Sequence, residues 1–141
     1  MFELDPRIAE DSALLGPLPL CQARLHRDAR YPWVRLVPAR PAIREIHTMD
    51  PTDRAQLLDE VVAVSAAMES ALGAEKMNVA ALGNICPQLH MHVVARYAAD
   101  DAWPGPIWGV HPPLEYIGEA WQTRVALLTK AFAPIKGFTA A

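Results

Sequence analysis

At 141 residues the chain is long enough for one domain with a substantial core and short for two. Apolar residues make up 52% and charged residues 21%, and the net charge of −3 argues against a general nucleic-acid binder, which would carry a clear basic excess. No apolar run reaches the ~18 residues of a membrane span, and the acidic start Met1-Phe2-Glu3-Leu4-Asp5 does not read as a signal peptide. Cys21 and Cys86 form neither a CxxC pair nor a disulfide framework, so both are expected as small buried residues of a cytoplasmic protein.

In chain order, residues 6–15 read as a brief helix that Gly16-Pro17 stops. Residues 18–26 and 33–38 read as two strands of an antiparallel hairpin, joined by the turn-rich Arg27-Asp28-Ala29-Arg30-Tyr31-Pro32. Arg24, Arg27, Arg30, Arg35, Arg40 and Arg44 cluster here, either as a solvated strand face or as a surface attracting phosphate, to which guanidinium forks are suited. Asp50-Pro51-Thr52-Asp53 starts a long helix, with Asp50 as cap and proline at the first helical position. Leu57, Val61, Val64, Met68 and Leu72 recur as one apolar stripe, and Gly73 ends the helix. Residues 76–81 are expected as a strand and Leu82-Gly83-Asn84 as a turn. Residues 98–116 contain Trp103, Pro104, Pro106, Trp108, Pro112 and Pro113, a proline-stiffened aromatic loop suited to closing over a base or a partner subunit. His111 within it reads as a surface histidine. Residues 119–132 form a final helix with Trp121, Val125, Leu128 and Phe132 on one stripe, and the tail from Pro134 is expected to be loosely held.

The stretch 84–96 stands apart. From Gln88 to Val94 polar and apolar residues alternate with the period of a half-buried strand, and Pro87 suits a position at the strand start. Leu89, Met91 and Val93 then face a core, while Gln88, His90 and His92 line the other face. Such a histidine pair has three readings: a solvated strand face, two ligands of a catalytic metal, or a site of imidazole chemistry. A metal needs a third ligand, and His26, His47 and His111 have no motif spacing to the pair, so none is expected.

Gly83-Asn84 ahead of Gln88-Leu89-His90-Met91-His92-Val93-Val94, with Arg96 after it and Leu36-Val37-Pro38-Ala39-Arg40-Pro41 upstream, resembles the histidine triad (HIT) family of nucleotide hydrolases and transferases. Glutamine stands at the first of the three histidine positions. The motif core covers residues 24–96, with the Pro/Trp-rich loop and last helix at 97–133 beyond it. The resemblance implies an α+β fold, one HIT-like domain over 1–141, with an antiparallel sheet of about five strands, one long helix and a C-terminal helix. It also implies a homodimer.

By this resemblance, His90 would attack the α-phosphorus of an AMP- or GMP-like purine-nucleotide substrate and form a nucleotidyl-histidine. His92 would contact the phosphate and help hold His90, and the Gln88 amide would donate to a phosphate oxygen. Asn78 and Asn84 would touch the phosphate or leaving group, and Asp28 would hold the ribose hydroxyls. The plainer readings of Asn84 and Asp28 are ordinary turn residues. The family's usual mechanism requires no metal or other cofactor. Gln88 cannot exchange a proton near neutral pH, and Ile85 stands where many relatives carry Ser or Thr. The expected preference is therefore for good leaving groups, phosphoanhydrides or acyl phosphates, over phosphoramidates. The alternative is a nucleotide-binding protein whose catalysis has weakened.

Overall fold

In the computed structural model, which describes residues 1–141, the elements follow as α1 (Pro6–Glu10), β1 (Ser12–Pro17), β2 (Cys21–His26), β3 (Trp33–Pro38), a short 3-10 helix (Ile46–Thr48), α2 (Pro51–Leu72), β4 (Lys76–Ala80), β5 (Met91–Arg96) and α3 (Ala120–Phe132). The five strands form one antiparallel sheet in the order β1-β2-β3-β5-β4, the α+β architecture expected from the sequence. The last strand thus slots between β3 and β4, and all six of its residues are buried.

Period-two alternation divides the sheet into two working faces. Ala23 and Leu25 of β2, Val34 and Leu36 of β3, and Met91 and Val93 of β5 meet Leu57, Val61, Val64 and Met68 of α2 and Leu128 and Phe132 of α3 in the main core of 18 residues. Asp50 caps α2 by accepting from the Thr52 amide at 2.9 Å, and Gly73 closes it in the left-handed conformation at φ 59°. The other face carries a smaller cluster of Tyr31, Trp33, Val94 and Ile107, with Ala102 and Trp108 packed on it. Arg96, at 1% exposure, pins the loop after β5 onto this face. Its guanidinium donates to both Asp100 oxygens (2.7 and 3.0 Å), to the Gly105 carbonyl (2.8 Å) and to Asn78 Oδ1 (2.7 Å). Burial alone would raise the Asp100 pKa, but the bonds from Arg96 and from the Tyr97 and Ala102 amides hold it at about 2.

Three expectations are corrected. The first helix ends at Glu10, because residues 12–17 pair with β2 as an added strand, with an irregularity between Leu14 and Gly16. The histidine strand begins at Met91 and not at Gln88, since the Leu89 amide donates to the Ile43 carbonyl at 2.9 Å and leaves the ladder before β5 starts. The parity nevertheless holds: Leu89, Met91 and Val93 all enter the main core. The tail is not loose. Thr139 and Ala141 donate to the Pro17 and Leu15 carbonyls (3.3 and 2.9 Å), and Phe138 packs against Phe132 with ring centroids 5.8 Å apart. This covers the free edge of β1, and the chain passes so close that a Cβ on Gly16 would lie 2.1 Å from the Thr139 carbonyl oxygen.

Glu60 of α2, 3% exposed, reaches into the turn ahead of β2. Its carboxylate accepts from the Leu20 and Cys21 amides at 2.8 and 2.9 Å and from Gln56 Nε2 at 2.7 Å. Removing a partner from buried amides costs their desolvation, about 1–3 kcal/mol each. Glu60→Ala is expected to lower the unfolding free energy by about 2–4 kcal/mol in urea titration; a loss below about 1 kcal/mol would mean that water replaces the carboxylate.

Candidate active site

A cleft of about 520 Å³ opens on the sheet face opposite α2 and α3. Its floor holds His92 of β5, Trp33 and Arg35 of β3, and His26 of β2, and its sides are formed by His90, the loop 82–86, Trp108-Gly109, and Arg7, Glu10 and Asp11. The sheet register sets the floor: Arg35 pairs directly with His92 across β3–β5 and with Arg24 across β2–β3. Two guanidiniums and an imidazole therefore stand in one row across the sheet.

The two histidines are held as opposite tautomers. His90 Nδ1 lies 2.7 Å from the Gln88 carbonyl oxygen. A carbonyl can only accept, so Nδ1 carries the proton and Nε2 presents a lone pair. His92 Nδ1 lies 2.9 Å from the Trp33 indole nitrogen, which can only donate. His92 Nδ1 is therefore bare, and its proton sits on Nε2. The rings meet edge to face, with centroids 4.8 Å apart. One ring thus offers a nucleophilic nitrogen and its neighbour an N–H donor.

Electrostatics keep both rings neutral. Burial is the main cause that lowers the His92 pKa, to about 3, and the neighbouring His90, Arg35 and His26 add to it. Burial also lowers that of His90, with Arg35 acting in the same direction and the Gln88 carbonyl opposing. Arg35, 5% exposed, donates from Nη2 to Asp11, while its buried Nε has no partner. Asp11 also lies 3.4 Å from His26 Nε2, and the His26 ring stacks on Trp33 at 3.7 Å and 7°. Trp108 stands edge-on to both Trp33 and His92 and gives the cleft a second aromatic wall.

Of the candidates named from sequence, His90, His92 and Asn84 line this cleft. Gln88 does not: its amide is engaged by the backbone of Glu3 and Asp5, so the phosphate-donor role expected for it finds no support. Asn78 is on the cleft side of the sheet, but its Oδ1 is taken by Arg96. Asp28 is buried in the turn after β2, where its carboxylate accepts from the Arg30 and Leu114 amides at 2.9 and 3.1 Å and ties the two loops together. His111 is exposed, as expected. Of the other lining residues, Arg35 belongs to the arginine cluster suited to phosphate and Trp108 to the loop suited to closing over a base, whereas Trp33, Asp11 and His26 carry no signal for the site in the sequence. Trp33 and Arg35 share strand parity in the sequence, but only the pairing of β3 with β5 brings them to His92. No group of three or more His, Cys, Asp or Glu is arranged to hold a metal ion.

These assignments predict the nitrogen-15 spectrum. At pH 7 His90 should be protonated on Nδ1 and His92 on Nε2, and Trp33→Phe should turn His92 into a tautomer mixture. A His92 protonated on Nδ1 in the unaltered protein would contradict the indole bond. Because both rings are less basic folded than unfolded, the unfolded chain binds more protons in acid. Their contribution to stability is full above about pH 6.5 and is lost as pH falls toward about 3, the range that His92 spans.

Residues 8–99 match the HIT domain. No curated protein matches the chain. Among solved structures, the fold superposes on a histidine triad protein of Marinobacter aquaeolei with a TM-score of 0.90 and 45% identity, covering 93% of this chain and 96% of that one. A histidine triad protein of Bradyrhizobium japonicum gives 0.90 and 42%, covering 92% and 97%. A hypothetical histidine triad nucleotide-binding protein of Sulfolobus tokodaii shares the fold at 15% identity and a TM-score of 0.66, covering 89% and 86%. With a matched family domain over most of its length and these relatives over nearly all of it, the chain belongs to the HIT domain family.

Proposed function

We propose that the protein is a nucleotide hydrolase or transferase that acts at the α-phosphate of a purine-nucleotide substrate through a nucleotidyl-histidine on His90. The observation that carries this reading is the bond from His90 Nδ1 to the Gln88 carbonyl, which leaves Nε2 unprotonated and free in the cleft. The Nε2 lone pair attacks the α-phosphorus, and the bond from phosphorus to the leaving group breaks with its electron pair going to that group. The ring becomes cationic as the new P–N bond forms, and the Gln88 carbonyl faces the Nδ1–H that shares this charge. Water then attacks phosphorus, the P–N bond breaks, and a nucleoside monophosphate leaves with one proton released to solvent. His92, its Nε2–H set by Trp33, donates to a phosphate oxygen, and Arg35 beside it adds positive charge. The indoles of Trp33 and Trp108 provide apolar walls suited to a flat heterocycle.

Asn84 and the exposed Ile85 also line the cleft, and in this reading they face the leaving group. Ile85 offers no side-chain donor, so phosphoanhydrides and acyl phosphates are the preferred substrates. The assembly in this reading is a homodimer, for which the outer strand β4 and the exposed Leu58 and Val62 of α2 offer a surface. The compartment is the reducing cytoplasm, consistent with two free cysteines; no helix is long and apolar enough to cross a membrane. The second reading, a nucleotide-binding protein with weakened catalysis, is favoured by the withdrawal of Gln88 from the cleft.

A panel of diadenosine polyphosphate, acyl-adenylate and adenosine phosphoramidate, assayed with EDTA present, tests the proposal. His90→Ala should lower turnover by a factor on the order of a thousand or more, and the anhydrides should turn over faster than the phosphoramidate. AMP binding without any turnover by the unaltered protein would decide for the second reading.

A further inference from the structure

Gln88, two residues ahead of His90, has an engaged side chain. Gln88 Oε1 accepts from the Asp5 amide and Gln88 Nε2 donates to the Glu3 carbonyl, both at 2.8 Å. These two backbone groups belong to residues i and i+2 of one stretch, so the side-chain amide pairs with it as a neighbouring strand would. A primary amide carries its donor and acceptor side by side on one planar group. In an imidazole the two nitrogens diverge across the ring, so a histidine cannot serve both partners at once.

The stretch held in this way runs on across the cleft. Arg7 chelates Asp5 through Nε and Nη2 (3.0 and 2.8 Å), and its Nη1 donates to the Ile85 carbonyl at 2.7 Å. After α1 the chain reaches Asp11, which binds Arg35 on the cleft floor, and then enters β1 at the far edge of the sheet. Residues 3–11 therefore form a strap from the loop ahead of β5 to the opposite sheet edge, and Arg7, Glu10 and Asp11 on it line the cleft.

We infer that Gln88 is a positioning residue: it latches this N-terminal strap in place and so shapes one end of the substrate cleft, while taking no part in proton or phosphoryl transfer. The kinetic side of this inference rests on the proposed hydrolase reading; the latch itself does not. It implies that a histidine at this position, unable to serve both backbone partners, harms the protein.

The experiment compares unaltered protein, Gln88→His and Arg7→Ala by hydrogen–deuterium exchange of residues 3–11, by thermal unfolding and by kcat and KM. Exchange in residues 3–11 should quicken in both variants while the amides of β5 and α2 keep their protection. KM should rise about tenfold in each with kcat within about twofold, and the double variant should add little, because either change alone opens the same strap. Unchanged exchange in residues 3–11 of Gln88→His would overturn the latch. So would a rise in kcat in that variant, which would place position 88 in the chemistry. Absence of His90-dependent turnover in the unaltered protein would count against the hydrolase reading alone, and the exchange measurement would still decide on the latch.

Discussion

The central constraint on this molecule is that β5 is buried on both faces and on both edges. It enters the sheet between β3 and β4 and pairs with both, the Ala95 amide donating to the Pro32 carbonyl and the Arg96 carbonyl accepting from the Glu75 amide just beyond the two ladders, and its side chains must suit two different environments. Met91 and Val93 meet the helices, which makes the strand part of the core and fixes its register, since a slip by one residue would drive His92 and Arg96 into the apolar layer. His92, Val94 and Arg96 then have to emerge on the other face. Each has a dedicated partner there: Trp33 for His92, the aromatic cluster for Val94, and Asp100 with Gly105 and Asn78 for Arg96.

The chemistry of the cleft follows from this burial. A half-exposed imidazole would exchange freely between tautomers and protonate near neutrality. Here burial disfavours the charged form, the guanidinium of Arg35 one strand away disfavours it further, and single-role partners choose the tautomer of each ring. Arg35 is itself costly to bury. Asp11 offsets that cost only through one Nη, and Asp11 is brought by the N-terminal stretch, so the charge balance of the cleft depends on a segment far from the histidines in sequence.

Local patterns in the sequence locate most of the fold. The Asp-Pro start and glycine end of α2 are visible because capping is a property of neighbouring residues. The apolar stripes of α2 and α3 and the parity of residues 89–94 are visible because a core imposes its period on whatever packs against it. The strand 12–17 is not visible. Ser12-Ala13-Leu14-Leu15 is short and lacks a period, and only its pairing with β2 and its cover by the C-terminal tail make it a strand. The docked tail is hidden for the same reason: Phe138 finds Phe132 only after α3 has been placed.

The sequence by itself determined which two imidazoles share a face, because His90 and His92 lie two residues apart beside core-facing Met91 and Val93, and that periodicity survives any arrangement of the remaining chain. It also determined the long helix, and the resemblance of residues 24–96 to the HIT family carried the antiparallel α+β class. The tertiary structure alone decided what surrounds the pair. Trp33 and Arg35 reach His92 through strand pairing across 59 and 57 positions of chain, counted as 92 − 33 and 92 − 35. Asn78 and Asp28 each have one oxygen engaged within the fold, by Arg96 and by the Arg30 and Leu114 amides. Gln88 was claimed by a segment 83 residues away. A polar side chain's role depends on which donor or acceptor arrives beside it, and those long-range arrivals are set by how the sheet and its connecting segments close, which no local pattern encodes.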